Sequence, residues 1–91
     1  MVQTRNWTVD VAIDENEEDR RTHAVAVLHS GVRSPVRGEG TAHRAPCDRE
    51  VPEVGDELAT ARALSDLAYQ LLDMTAADIE AITHRPAHLI S

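Results

Sequence analysis

The sequence predicts an α+β fold: a three-stranded antiparallel sheet packed against one long helix, followed by a short C-terminal helix, in the order β-β-β-α-α. Three observations carry this. Residues 7–13 alternate strictly between apolar and polar, the mark of a strand with one buried face. Two more short runs follow at 22–29 and 36–43, set apart by segments rich in turn-forming and charged residues. Residues 51–72 then change period, with Leu58, Ala61, Leu64, Ala68, Leu71 and Leu72 recurring at three- and four-residue spacings. At about 100° per residue these form one broad apolar stripe that must lie on a sheet, with Arg62, Asp66, Gln70 and Asp73 on the opposite side.

Taken in order, residues 1–6 are polar and expected to fray at the start of a single domain spanning 1–91. In the first strand, Trp7, Val9, Val11 and Ile13 share the inner face, and Thr8, Asp10 and Ala12 the outer one. Asp14–Arg20 is too polar to bury and reads as a hairpin loop; its carboxylates lack the loop glycine and terminal glutamate of an EF-hand. Thr22–His29 is the second strand. Ala24, Ala26 and Leu28 are placed inward, because small side chains let a crossing helix approach closely. That choice leaves Val25 and Val27 on the opposite face, available to a second subunit.

Ser30–Pro35 is a turn by its Gly and Pro content. Val36–His43 is the third strand, in which Gly38 and Gly40 mark a bulge or the close approach of another backbone. Arg44–Glu50 connects to the helix, where Pro52 and Gly55 turn the chain and Asp56 offers an N-cap oxygen. Thr75, with Asp78 three residues on, resembles a second cap. It opens a short helix to Thr83 whose Ile79 and Ile82 face inward. Pro86 stops that helix, leaving Leu89 and Ile90 to fold back or meet a partner.

Composition narrows the function. The chain has 91 residues with one Trp, one Tyr and no Phe, so its core must be built from small aliphatic side chains. A domain of this size buries a limited share of its surface, which favours a homo-oligomer. The net charge of −7 argues against non-specific phosphate binding, and all nine basic residues are arginines. Four of them, Arg33, Arg37, Arg44 and Arg49, cluster in residues 31–50 against Glu39, Asp48 and Glu50, a local basic lip on an acidic protein. The single Cys47 excludes an internal disulfide, no apolar run is long enough for a membrane span, and the polar start lacks a signal-peptide core. A cytoplasmic location is expected.

Catalytic and metal patterns are thin. Gly38-Glu-Gly40 lacks the helix that must follow a phosphate-binding loop. His43, Cys47, His84 and His88 form a conceivable zinc set, but Pro86 interrupts the second pair and the first lies in a loop. Cys47 has no evident oxyanion hole or positive setting to activate it. No cofactor and no catalytic residue are expected.

The runs Val51–Leu58 and Ala61–Leu67, with Trp7–Asp14, Gly38-Glu-Gly40 and Asp78–His84, resemble a small actinobacterial, mycobacterial-type family of unknown function with a fold like the double-stranded-RNA-binding domain. The resemblance runs from Trp7 to about Leu89, with Cys47 outside the family pattern. It implies a three-stranded sheet with the long helix across one face, and a shape similar to small stress-associated factors that bind ribosomes. Two features depart from a true RNA-binding domain: the chain opens with a strand, and the start of the long helix carries Asp56 and Glu57 where basic residues would grip phosphates. Canonical double-stranded RNA binding is not expected.

The sequence thus describes a non-enzymatic module that binds a macromolecule, expected to be a homodimer through Val25 and Val27. The alternative is a ribosome- or RNA-associated stress factor using Arg33, Arg37, Arg44 and Arg49, and a metal-dependent enzyme is a distant third.

Overall fold

The structure, a computed structural model, describes residues 1–43, 52–87 and 89. Three strands, β1 (Thr8–Asn16), β2 (Arg21–His29) and β3 (Val36–His43), form an antiparallel sheet in the order β1-β2-β3, and one helix, α1 (Pro52–Thr83), crosses it. The register runs from Thr8↔His29 to Asn16↔Arg21 and from Arg21↔His43 to Leu28↔Val36.

The first hairpin is tighter than the acidic run predicts. Asp14, Glu15 and Asn16 belong to β1, and the turn is confined to residues 17–20. β1 is an edge strand whose residues are all exposed, so charge does not oppose extension there. The Asn16 carboxamide oxygen closes the turn by accepting from the backbone N–H groups of Glu18 (3.0 Å) and Asp19 (3.2 Å). Arg20 takes a left-handed φ of 52° at its end.

On β2 the inward choice is confirmed: Ala24 and Ala26 are wholly buried and Leu28 nearly so. Their neighbours across β3 are Gly40, Gly38 and Val36. The helix lies directly on this small-residue surface. A Cβ at Gly38 would run into the backbone of Ala63 and Leu67, and one at Gly40 into that of Ala59 and Ala63. The glycines therefore serve close approach rather than a bulge.

That contact selects a helix stripe different from the one expected. Ala59, Ala63 and Leu67 are buried and Leu71 packs at the margin, while Leu58 and Leu64 remain 41 % and 42 % exposed and Ala61 and Ala68 are exposed. The stripe is rotated because only residues as small as Ala59 and Ala63 fit against Gly38 and Gly40. The polar residues expected opposite the sheet, Arg62, Asp66 and Gln70, instead reach over the outer edge of β3.

The helix also starts earlier and ends later than predicted. It opens at Pro52, a favoured first helical position, so Asp56 is an internal residue rather than the N-cap. Gly55 sits within the first turns, where an added Cβ would stand 3.0 Å from the Thr22 hydroxyl. There is no break before Thr75, and so no second C-terminal helix: the Thr75 hydroxyl donates to the Leu71 carbonyl one turn back (2.8 Å). No glycine or proline lies between Leu72 and Thr83 to interrupt the ladder. Termination comes at His84, with a left-handed φ of 60° and its N–H on the Glu80 carbonyl (2.7 Å). Ile79 and Ile82 do not face inward; Ile82 is 79 % exposed.

Candidate interaction surface

The two edges of the sheet are treated differently. Along β3, side chains of α1 engage one outward backbone group at each of Arg37, Glu39 and Thr41. Asp66 accepts from the Glu39 N–H (2.8 Å), Gln70 donates to the Arg37 carbonyl (2.6 Å), and Arg62 donates to the Thr41 carbonyl (2.7 Å). Spaced four apart, these residues share one flank of the helix and meet every second residue of the strand. This seal was not foreseen from the sequence. Its signal is the row Arg62, Asp66, Gln70 running beside the small-residue row Ala59, Ala63.

Among the described residues, the opposite side is open. The helix rests on β3 and β2 and scarcely touches β1. By register, Val9, Val11 and Ile13 share a face with Leu28, Ala26 and Ala24. They therefore point to the helix side, as the alternation predicts, yet with Trp7 they are 39–54 % exposed. Leu64 lies on the helix flank away from the β3 seal, turned to the same side. A cavity of about 280 Å³ closes one end of this apolar trough, between Trp7, Leu28 and Val36 below and Leu71 and Met74 above.

The outer face of the sheet is polar. Val25 and Val27 lie there, half-buried, as the alternation requires. Val27 stands between Asp10 and Arg37, and Val25 between Ala12 and Glu39. Around them His29 Nε2 lies 3.1 Å from Asp10 Oδ2, and His23 Nε2 3.3 Å from Glu39 Oε1. Arg37 pairs with the same Glu39 oxygen at 3.2 Å. Arg21 Nε donates to His43 Nε2 at the strand end (2.9 Å).

Of the four arginines in the basic lip, the structure places Arg33 in the β2–β3 connection, paired with Asp78 at 3.2 Å, and Arg37 on the outer face. Arg44 and Arg49 lie outside the described residues, as do Cys47, His88 and Ile90. His43 follows Gly40, which abuts Ala59 near the start of the helix, whereas His84 ends it. Twenty-five residues of helical rise separate Ala59 from His84, about 37 Å, so these two histidines cannot meet at one metal.

Comparison with known proteins places the chain among close relatives. It is 50% identical over 86 residues to "Uncharacterized protein Mb1767" of Mycobacterium bovis, covering 94% of this chain and 88% of that one. It is 53% identical over 78 residues to "Uncharacterized protein Rv2632c" of Mycobacterium tuberculosis, covering 86% and 81%. The crystal structure of Rv2632c superposes with a TM-score of 0.82 at 47% identity, over 93% of this chain and 98% of that one. The Rv2632c-like family model matches residues 5–88, and the chain belongs to the Rv2632c-like family.

Proposed function

We propose that this chain is a non-enzymatic, protein-binding module whose working surface is the apolar trough between β1 and α1. The observation that carries the reading is the exposed row Trp7, Val9, Val11 and Ile13 on the helix side of the sheet. These are large apolar side chains aligned on a face that no other described residue covers, beside a cavity able to seat one anchoring side chain.

The outer face is a weaker candidate. A partner seated on Val25 and Val27 must also desolvate Asp10, Arg37 and Glu39, at a cost comparable to what the two valines return. The ribosome or RNA reading rests on a β-β-β-α order similar to that of the double-stranded-RNA-binding domain, which is a likeness of fold rather than of site. Its arginines give it little support: Arg33 and Arg37 are paired with Asp78 and Glu39, whose negative charges offset theirs toward a phosphate.

Affinity capture from a lysate of the source cell, with wild type and with the double variant V9D/I13D, tests the reading. A defined protein retained by wild type and lost by the variant is expected. A partner held equally by both would place the working surface elsewhere.

A further inference from the structure

Hydrogen bonds at the β3 edge reveal which backbone groups β1 presents to solvent. The groups of Arg37, Glu39 and Thr41 point outward to the helix side chains, so Val36, Gly38, Gly40 and Ala42 bond to β2. In an antiparallel ladder the two sides of a strand alternate residue by residue. The register then makes Thr8, Asp10, Ala12 and Asp14 the β1 residues bonded to β2. The free N–H and C=O groups therefore belong to Val9, Val11 and Ile13, the same residues whose side chains form the apolar row.

We propose that this edge pairs with β1 of a second copy, antiparallel, in a register centred on Val11; the proposal rests on the reading of the β1 side as an interaction surface. Only pairings that set odd residues opposite odd ones bring free donors to free acceptors. Centring on Asp10 opposes that residue with its own copy, and centring on Ala12 opposes Asp10 with Asp14 and Val9 with Glu15; like charges directly opposite are unfavourable. Centring on Val11 sets Val9 against Ile13, Val11 against Val11, Asp10 against Ala12 and Thr8 against Asp14. Val9, Val11 and Ile13 then meet one another, Trp7 falls opposite Glu15, and no carboxylate meets another.

The edge carries neither proline nor lysine nor bulge, and its carboxylates, Asp10, Asp14 and Glu15, stay apart from one another in the Val11-centred register. The other edge is closed by Arg62, Asp66 and Gln70. The product is a continuous six-stranded sheet with a two-fold axis through Val11 and both helices on one face. A strand of that register is self-complementary, which an unrelated partner need not be.

Cysteine crosslinking in a Cys47→Ser background reads the register directly. Val11→Cys is expected to form a disulfide-linked dimer on mild oxidation, because bonded antiparallel pairs stand about 5.5 Å apart at Cα. Val9→Cys and Ile13→Cys are expected not to crosslink singly and to crosslink when mixed. In parallel, sedimentation at micromolar concentration should give a two-chain mass for wild type. Val11→Pro, which removes an N–H that β2 does not use, should abolish that mass with an unchanged circular dichroism spectrum. A monomeric wild type, a dimer surviving Val11→Pro, or a dimer split only by V25D/V27D or L58D/L72D overturns the proposal. A monomer that still loses its captured partner in V9D/I13D overturns self-pairing alone and leaves the protein-binding reading standing.

Discussion

Gly38 and Gly40 determine how closely α1 approaches the sheet, and the rest of the core follows from that spacing. Adding one methyl at Gly40 drives it into the backbone of Ala59 and Ala63, which can yield only by shifting the helix. Gly40→Ala is expected to cost about 2–3 kcal/mol in urea denaturation. Gly31→Ala, at a turn glycine with φ of 80° and open space around it, should cost about 1 kcal/mol from backbone strain alone. Equal costs would contradict the close-approach account. Ala24, Ala26 and Leu28 were legible as inward residues because small side chains suit a crossing helix. Ala59 and Ala63 were not, because apolar periodicity weights bulk, and Leu58 and Leu64 outweigh alanines. What decides the contact is the absence of side chains on the strand, a property no single element's periodicity contains.

At the scale of elements, the strands were legible from alternation and turns, and β3 from Val36 to His43 matches its predicted bounds. Thr75 and Asp78 have the spacing of a cap, which predicts a break that α1 does not make. A threonine can equally donate one turn back, and with no glycine or proline nearby the continuous ladder wins. Thr75→Ala separates the two descriptions. Removal of an N-cap costs about 1 kcal/mol, whereas replacing a mid-helix threonine by alanine gains a few tenths in helix propensity. An unchanged or slightly raised Tm is expected in a thermal melt. Asp14–Asn16 joined β1 because an edge strand exposed on both faces tolerates charge, which a rule that polar runs are loops misses.

At the scale of the whole molecule, a 32-residue helix crosses strands of eight and nine residues. It covers β2 and β3 and leaves β1 bare. The scarcity of aromatic residues predicts the thin core; the location of the bare surface is hidden in the sequence, because it depends on which strands the helix selects. For nucleic acid, the net charge and the ion pairs of Arg33 and Arg37 set the expectation. Wild type and the variant R33Q/R37Q/R44Q/R49Q should bind a short RNA duplex equally weakly in fluorescence anisotropy at physiological salt. A large loss on substitution, with a linear log–log dependence on salt, would favour the RNA reading instead.

The three helix side chains along β3 have a consequence for stoichiometry. A sheet with two open edges is a bifunctional monomer: each addition leaves a fresh edge, and growth continues into fibres. Closing one edge makes the unit monofunctional, so that assembly through the other terminates at two. In the pairing proposed above, Arg62, Asp66 and Gln70 would act as a chain stopper as well as holding the β3 backbone. Replacing all three by alanine should leave the first pairing intact and add a second reactive end. Light scattering of that variant should climb with time and concentration, where the wild type holds a constant mass.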